Sequence, residues 1–187
     1  MREALLIAIG ILVAACATTP TGRGTAAAAQ TWPLLSPATL GSAQSASQRL
    51  RAAFADQELS LDCAIDVTAE RITVIGLVPA GPRVFTLNYD GQRLDAETSA
   101  AVPAALKPER LLNDLQLALW PKAALERAFD NSRWRLAEPD PRTRRLLRDG
   151  KLVAEVHYAD GDPWSGRLWL VNFDGAYSIA VESQRLE

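Results

Sequence analysis

Residues 59–67 read Leu59-Ser60-Leu61-Asp62-Cys63-Ala64-Ile65-Asp66-Val67. Leu59, Leu61, Cys63, Ile65 and Val67 share one parity, while Ser60, Asp62 and Asp66 take the other. A period of two puts the first set on one face of a β-strand and the second on the opposite face. A half-wet strand belongs to an antiparallel sheet, because parallel sheets are normally covered on both sides. Residues 71–77 and 83–89 continue as strands, each bounded by turn residues. Four Asp-Gly pairs follow, at 90–91, 149–150, 160–161 and 174–175. Asp-Gly suits a tight hairpin, whose two central residues both need positive φ. An antiparallel meander is therefore expected.

Between Lys107 and Phe129 the period changes. Pro108 stands where a helix starts, and Leu111, Leu112, Leu115 and Leu119 recur at helical spacing. Pro121 breaks the run, and a second short helix is predicted over residues 121–128. The fold class is thus α+β: a curved antiparallel sheet covered by a short helical insertion. In the segment Arg167-Leu168-Trp169-Leu170-Val171-Asn172-Phe173 both parities carry large apolar side chains. That predicts a strand whose faces are both covered or line a dry space: either one face lies under the helices and the other at the domain edge, or a cavity lies between the curved sheet and its helical lid. Periodicity does not separate the two.

The chain has 187 residues, is 48% hydrophobic and carries a formal net charge of -2. Such a length suits one domain with an appendage, and the charge balance excludes the basic face of a nucleic-acid binder. The apolar content is uneven. Residues 1–15, MREALLIAIGILVAA, form an apolar run too short to span a bilayer, ending in small residues before Cys16. Val13-Ala14-Ala15-Cys16 resembles the bacterial lipobox, in which the cysteine is acylated with palmitate-type chains and becomes the first mature residue. The expected organisation is a signal peptide over 1–15, a lipidated tether over 16–31 and a single domain over 32–187. No aspartate follows Cys16, so the resemblance implies the periplasmic face of the outer membrane of a Gram-negative bacterium. Cys63 is then left alone, on the apolar parity, as a core thiol.

Catalytic signatures are missing. One histidine, His157, and one spare cysteine do not make a zinc site of the usual kind. There is no Gly-x-Ser-x-Gly elbow, no Gly-x-Gly-x-x-Gly or Walker loop, and Asp160 and Asp162 do not complete a calcium loop. The expectation is a protein that is not an enzyme and takes no cofactor and no metal. Two features remain open. Arg142, Arg144 and Arg145, with Arg148, either receive a phosphate or lipid headgroup or lie on a solvated strand balanced by Glu138, Asp140 and Asp149. The apolar turn from Leu77 and Val78 to Pro82 is either a tip touching membrane or ligand, or a rigid loop packed on the domain.

The stretches Leu34-Leu35-Ser36-Pro37-Ala38-Thr39-Leu40-Gly41, Phe85-Thr86-Leu87-Asn88-Tyr89-Asp90-Gly91, Leu117-Ala118-Leu119-Trp120-Pro121 and Arg144-Arg145-Leu146 resemble a family of uncharacterised bacterial lipoproteins. That family is encoded among the genes for aryl polyene pigments, and the resemblance runs from about Trp32 to the C-terminus. The layout is also similar to the lipoprotein carrier LolA and the receptor LolB, curved half-barrels with helices over an apolar cavity. The nearest counterpart of the protruding LolB loop is the turn at Leu77 and Val78. The resemblance implies a non-enzymatic outer-membrane lipoprotein that binds or transfers an acyl or aryl-polyene-type lipid. Phe85, Leu87, Leu115, Leu119, Trp120, Trp134 and Trp169 are the candidate lining. The alternative is a scaffold or assembly lipoprotein that contacts protein partners and has no ligand cavity.

Overall fold

A computed structural model of the chain describes residues 32–55, 57–100, 102 and 107–187. The signal-peptide, Cys16 and tether readings lie outside these residues. Ten strands run in order β1 Gln44–Phe54, β2 Gln57–Val67, β3 Ile72–Leu77, β4 Arg83–Tyr89, β5 Leu94–Thr98, β6 Trp134–Asp140, β7 Thr143–Arg148, β8 Lys151–Tyr158, β9 Gly166–Asn172 and β10 Tyr177–Leu186. Two helices, α1 Pro108–Leu119 and α2 Lys122–Phe129, stand between β5 and β6. The strands form one sheet of order β5-β4-β3-β2-β1-β10-β9-β8-β7-β6, antiparallel throughout.

Two five-stranded meanders are thus joined along a single seam, where β1 pairs β10 from Ser45↔Leu186 to Phe54↔Tyr177. The alternation read in β2 is realised: Leu61, Cys63, Ile65 and Val67 are buried and Ser60 and Asp66 exposed. The same inner face collects Ala46 and Ala52 from β1, Ile72 and Val74 from β3, Leu168 and Leu170 from β9, and Ile179 and Val181 from β10. α1 starts on Pro108, where the missing N–H costs nothing, and turns Leu112, Leu117 and Leu119 inward.

The hairpin expectations need correction. Only Asp149-Gly150 makes the two-residue turn, with φ of 51° and 78° between the paired Arg148 and Lys151. Asp90-Gly91 sits in a four-residue loop, where the Asp90 carboxylate accepts the Gln92 and Arg93 N–H groups. Asp174-Gly175 likewise sits in a four-residue loop, between the paired Asn172 and Tyr177, and Asp160-Gly161 in a seven-residue connection from β8 to β9. In these three loops side-chain acceptors and neighbouring residues do the turning, so the strands need not close in two residues.

The β9 expectation is also corrected. Leu168 and Leu170 are buried on the inner face, but Trp169 is 45% exposed on the outer one, and Phe173 beyond the strand end is 51% exposed. The helices cover only the inner face. Nothing among the described residues covers the other.

Candidate functional site

The segment before β1 is held against α1 by a set of buried amides. Gln116 accepts the Leu35 N–H at 2.9 Å through Oε1 and donates to the Leu35 carbonyl at 2.7 Å through Nε2. Asn113 donates to the Trp32 carbonyl at 3.0 Å, the Trp120 indole N–H donates to Thr39 Oγ1 at 2.8 Å, and the Tyr89 hydroxyl donates to the Leu34 carbonyl at 3.2 Å. Gln116 is wholly buried, and its amide satisfies a backbone donor and acceptor that would otherwise be orphaned.

At the C-terminus of α1, just past Gln116, the sheet supplies the cap. Arg144 Nη1 on β7 donates to the Leu117 and Trp120 carbonyls, both at 2.8 Å, and its Nε donates to Glu138 at 2.9 Å. The Tyr158 hydroxyl donates to the Ala118 carbonyl at 2.8 Å, and the Arg144 guanidinium lies 5.7 Å from the Tyr158 ring centre. A helix ends with unsatisfied carbonyls and partial negative charge, and a buried arginine answers both. This overturns the headgroup reading for Arg144. Arg145 is likewise engaged by Glu155, Arg148 by Asp174, and the Arg142 backbone N–H by Asp140 at 2.8 Å. The guanidinium groups of Arg144, Arg145 and Arg148 are thus engaged by carboxylates within the fold and form no free cradle.

Between α1 and the seam lies a cleft. Its walls are Leu111, Leu115, Ala118 and Leu119 of α1, and its floor is Leu50, Leu168, Leu170, Ile179 and Val181 of β1, β9 and β10. Gln48 and Asp114 are its only polar members. Gln48 pairs across the seam with Ser183, to whose Oγ it donates at 2.9 Å, whereas Asp114 bonds Tyr177, which pairs with Phe54. Along the seam the floor runs from Gln48 to Ile179, the partner of Ala52, four residues on and roughly 13 Å away. The space within the cleft is about 70 Å³. A larger groove of about 390 Å³ beside β6 is polar, with Glu126, Asp130 and Arg135 on its rim. The apolar cleft is therefore the candidate binding site.

Asp114 projects from the apolar stripe of α1 into the core. The Tyr177 hydroxyl donates to its carboxylate, as does Asn172 Nδ2 at 3.0 Å, and the Gly175 N–H fixes the Asn172 amide by donating to its Oδ1 at 2.8 Å. Burial raises the Asp114 pKa to about 6, against the lowering effect of its two hydrogen bonds and of Arg110. The same burial, with the Asp114 charge, pushes the Tyr177 phenol upward, so its proton stays in place. Asp114 was absent from the sequence-derived candidates. A carboxylate interrupting the stripe Leu111, Leu115, Ala118 at helical spacing was the available signal.

Of the seven candidate lining residues, the structure brings Leu115 and Leu119 into the cleft. Phe85 and Leu87 are buried on β4, with the Phe85 ring lying over Gly76 of its partner strand. Trp120 is buried toward the Thr39 hydroxyl, and Trp134 is buried on β6 with the Arg148 guanidinium 5.5 Å from its ring centre. Trp169 is on the outer face of the sheet. At the turn after β3, Leu77 and Val78 are half-buried, Val78 packs against the core, and its carbonyl accepts the Gly81 N–H at 2.9 Å. His157 sits on the sheet surface, 2.6 Å from Glu155. Cys63 is buried, and desolvation, with Asp62 adding to it, pushes its thiol up to about 12.

No curated protein matches the sequence. Among solved structures, a LolA superfamily protein from Nitrosomonas europaea aligns with 80% of this chain and 88% of its own, at 11% identity and a TM-score of 0.46. A DUF1329 family protein from Desulfovibrio piger aligns with 82% of this chain and 92% of its own, at 10% identity and a TM-score of 0.45. Among the described residues no helix is long and apolar enough to cross a membrane. Residues 45–185, from the second residue of β1 almost to the end of β10, match the family described as "Protein of unknown function (DUF3261)", and the chain belongs to that family.

Proposed function

We propose that this protein is a non-enzymatic outer-membrane lipoprotein, anchored through acylated Cys16, that binds or passes on a hydrophobic chain of acyl or aryl-polyene type. The observation that carries the reading is the cleft under α1, whose lining is apolar except for Gln48 and Asp114 at its ends. A linear chain with few polar contacts is the ligand such a lining fits. Its volume of about 70 Å³ decides how binding would proceed. An apolar cavity that admits a benzene ring measures ~150 Å³, so the cleft in this form is closed to a long chain. Entry requires α1 to lift off the seam. Each buried methylene returns about 0.8 kcal/mol, so a ten-carbon stretch supplies ~8 kcal/mol toward displacing the helix.

The test uses residues 17–187, which retain every strand and both helices and carry no acyl anchor. Saturable uptake of a fluorescent fatty acid is expected, and Leu115→Trp, which fills the cleft, should weaken it at least about tenfold. Absent uptake, or uptake indifferent to Leu115→Trp in a folded variant, refutes the reading. Mass spectrometry of organic extracts from protein isolated from its native cells identifies the chain. Intact-mass measurement of the same material reads acylation at Cys16.

A further inference from the structure

The outer face of the sheet carries a second feature, directly behind the cleft. Trp169, Ala180 and Arg51 form one cross-strand row, and Arg167, Glu182 and Arg49 form another. Because Ala180 is small, a shallow hollow of about 130 Å³ opens between the Trp169 ring and the arginines. Arg49 engages Asp62 at 3.7 Å and Glu182 at 3.8 Å, which accounts for both neighbouring carboxylates. The Arg51 and Arg167 guanidinium groups have no acidic partner among the described residues. On β9 the apolar parity continues from Trp169 through Val171 toward Phe173.

An exposed indole beside two unneutralised guanidinium groups has a specific complement. Tryptophan settles where one side is apolar and the other wet, and arginine matches the geometry of a phosphate while its stem lies on apolar surface. We propose that this patch docks the domain on an anionic phospholipid surface, with Trp169 at headgroup depth and Arg51 and Arg167 on lipid phosphates. The surplus of cations over carboxylates in the patch is the charge complement of that surface. The acyl cleft faces the other way, so the two sites fail or succeed independently.

All five tryptophans lie in the described structure, and Trp32, Trp120, Trp134 and Trp164 are buried. Trp169 is the one open to solvent, so its emission can be read in the whole protein. Residues 17–187 are titrated with phosphatidylcholine vesicles containing or lacking phosphatidylglycerol. The expected result is a blue shift and reduced acrylamide quenching with anionic vesicles alone, reversed by salt. The spectral change should vanish in Trp169→Ala. Arg51→Ala with Arg167→Ala should weaken partitioning by roughly thirtyfold, at the usual increment per basic side chain on an anionic surface. These positions face solvent, and circular dichroism verifies the fold of each variant. The proposal is overturned if neutral vesicles act equally, if the double arginine variant partitions like the parent, or if binding leaves Trp169 fully quenchable. The last outcome places the membrane contact on another surface of the domain.

Discussion

Asp114 gives the sharpest test of how the inner face is built. Its carboxyl is buried between α1 and the sheet, with a pKa raised from 3.8 to about 6 because burial outweighs two hydrogen bonds. A carboxyl whose folded pKa lies above its unfolded one makes the folded state take up a proton. Stability from this group is therefore complete below about pH 4 and is lost as pH rises through about 6. Two units correspond to roughly 3 kcal/mol, the cost of holding the ionised form at neutral pH. Near 2–4 °C per kcal/mol for a domain of this size, that is a fall of roughly 6–12 °C in Tm. Other carboxylates act oppositely. Asp90 and Asp140 are lowered by backbone N–H donors, Asp149 by Arg133 and Glu155 by Arg145, so their contribution is lost only in stronger acid. The decisive assay compares urea unfolding of the parent with Asp114→Asn between about pH 4 and pH 7.5. The isosteric amide cannot ionise, so the variant should gain on the parent as pH rises, by roughly 3 kcal/mol across the range. Parallel stability curves would refute the argument, because they would mean that Asp114 ionises in the fold without cost.

Two further substitutions probe the last turn of α1. Gln116→Leu leaves the buried Leu35 N–H and carbonyl without partners. At ~1–3 kcal/mol per orphaned group it should cost about 2–5 kcal/mol, measured as a lower denaturation midpoint. Arg144→Met strips the cap from the Leu117 and Trp120 carbonyls and the partner from Glu138, and should cost roughly 3–5 kcal/mol by thermal unfolding. Arg145→Met on the exposed side of the same strand should cost under about 1 kcal/mol, and equal losses would contradict the assignment of Arg144 as the cap.

Much of the architecture was legible locally. The alternation of β2, the strands at Ile72–Leu77 and Arg83–Tyr89, and the proline-punctuated pair α1 and α2 each follow from side-chain spacing within a dozen residues. Leu115 and Leu119 were legible as cleft residues for the same reason, since helical spacing places them on one inward face. Trp169 was misread because apolar content on both parities looks alike whether the second face is buried or left to solvent. Phe85 and Trp134 are apolar residues of the core that lie away from the cleft. Arg144 was ambiguous because an arginine beside acidic residues reads as solvated until the helix end it caps is known.

The sequence alone determined the periods: which residues alternate, where the helix interrupts, and which residues turn inward. These are properties of a few consecutive dihedral angles and side chains. Only the tertiary structure decided the seam, in which β1 finds β10 across more than a hundred residues and the two meanders become one sheet. With the seam come the cleft floor, the Asp114–Tyr177–Asn172 cluster beside it and the arginine-flanked Trp169 behind it. Each joins residues remote in the chain, and no local pattern records which remote strand supplies the partner.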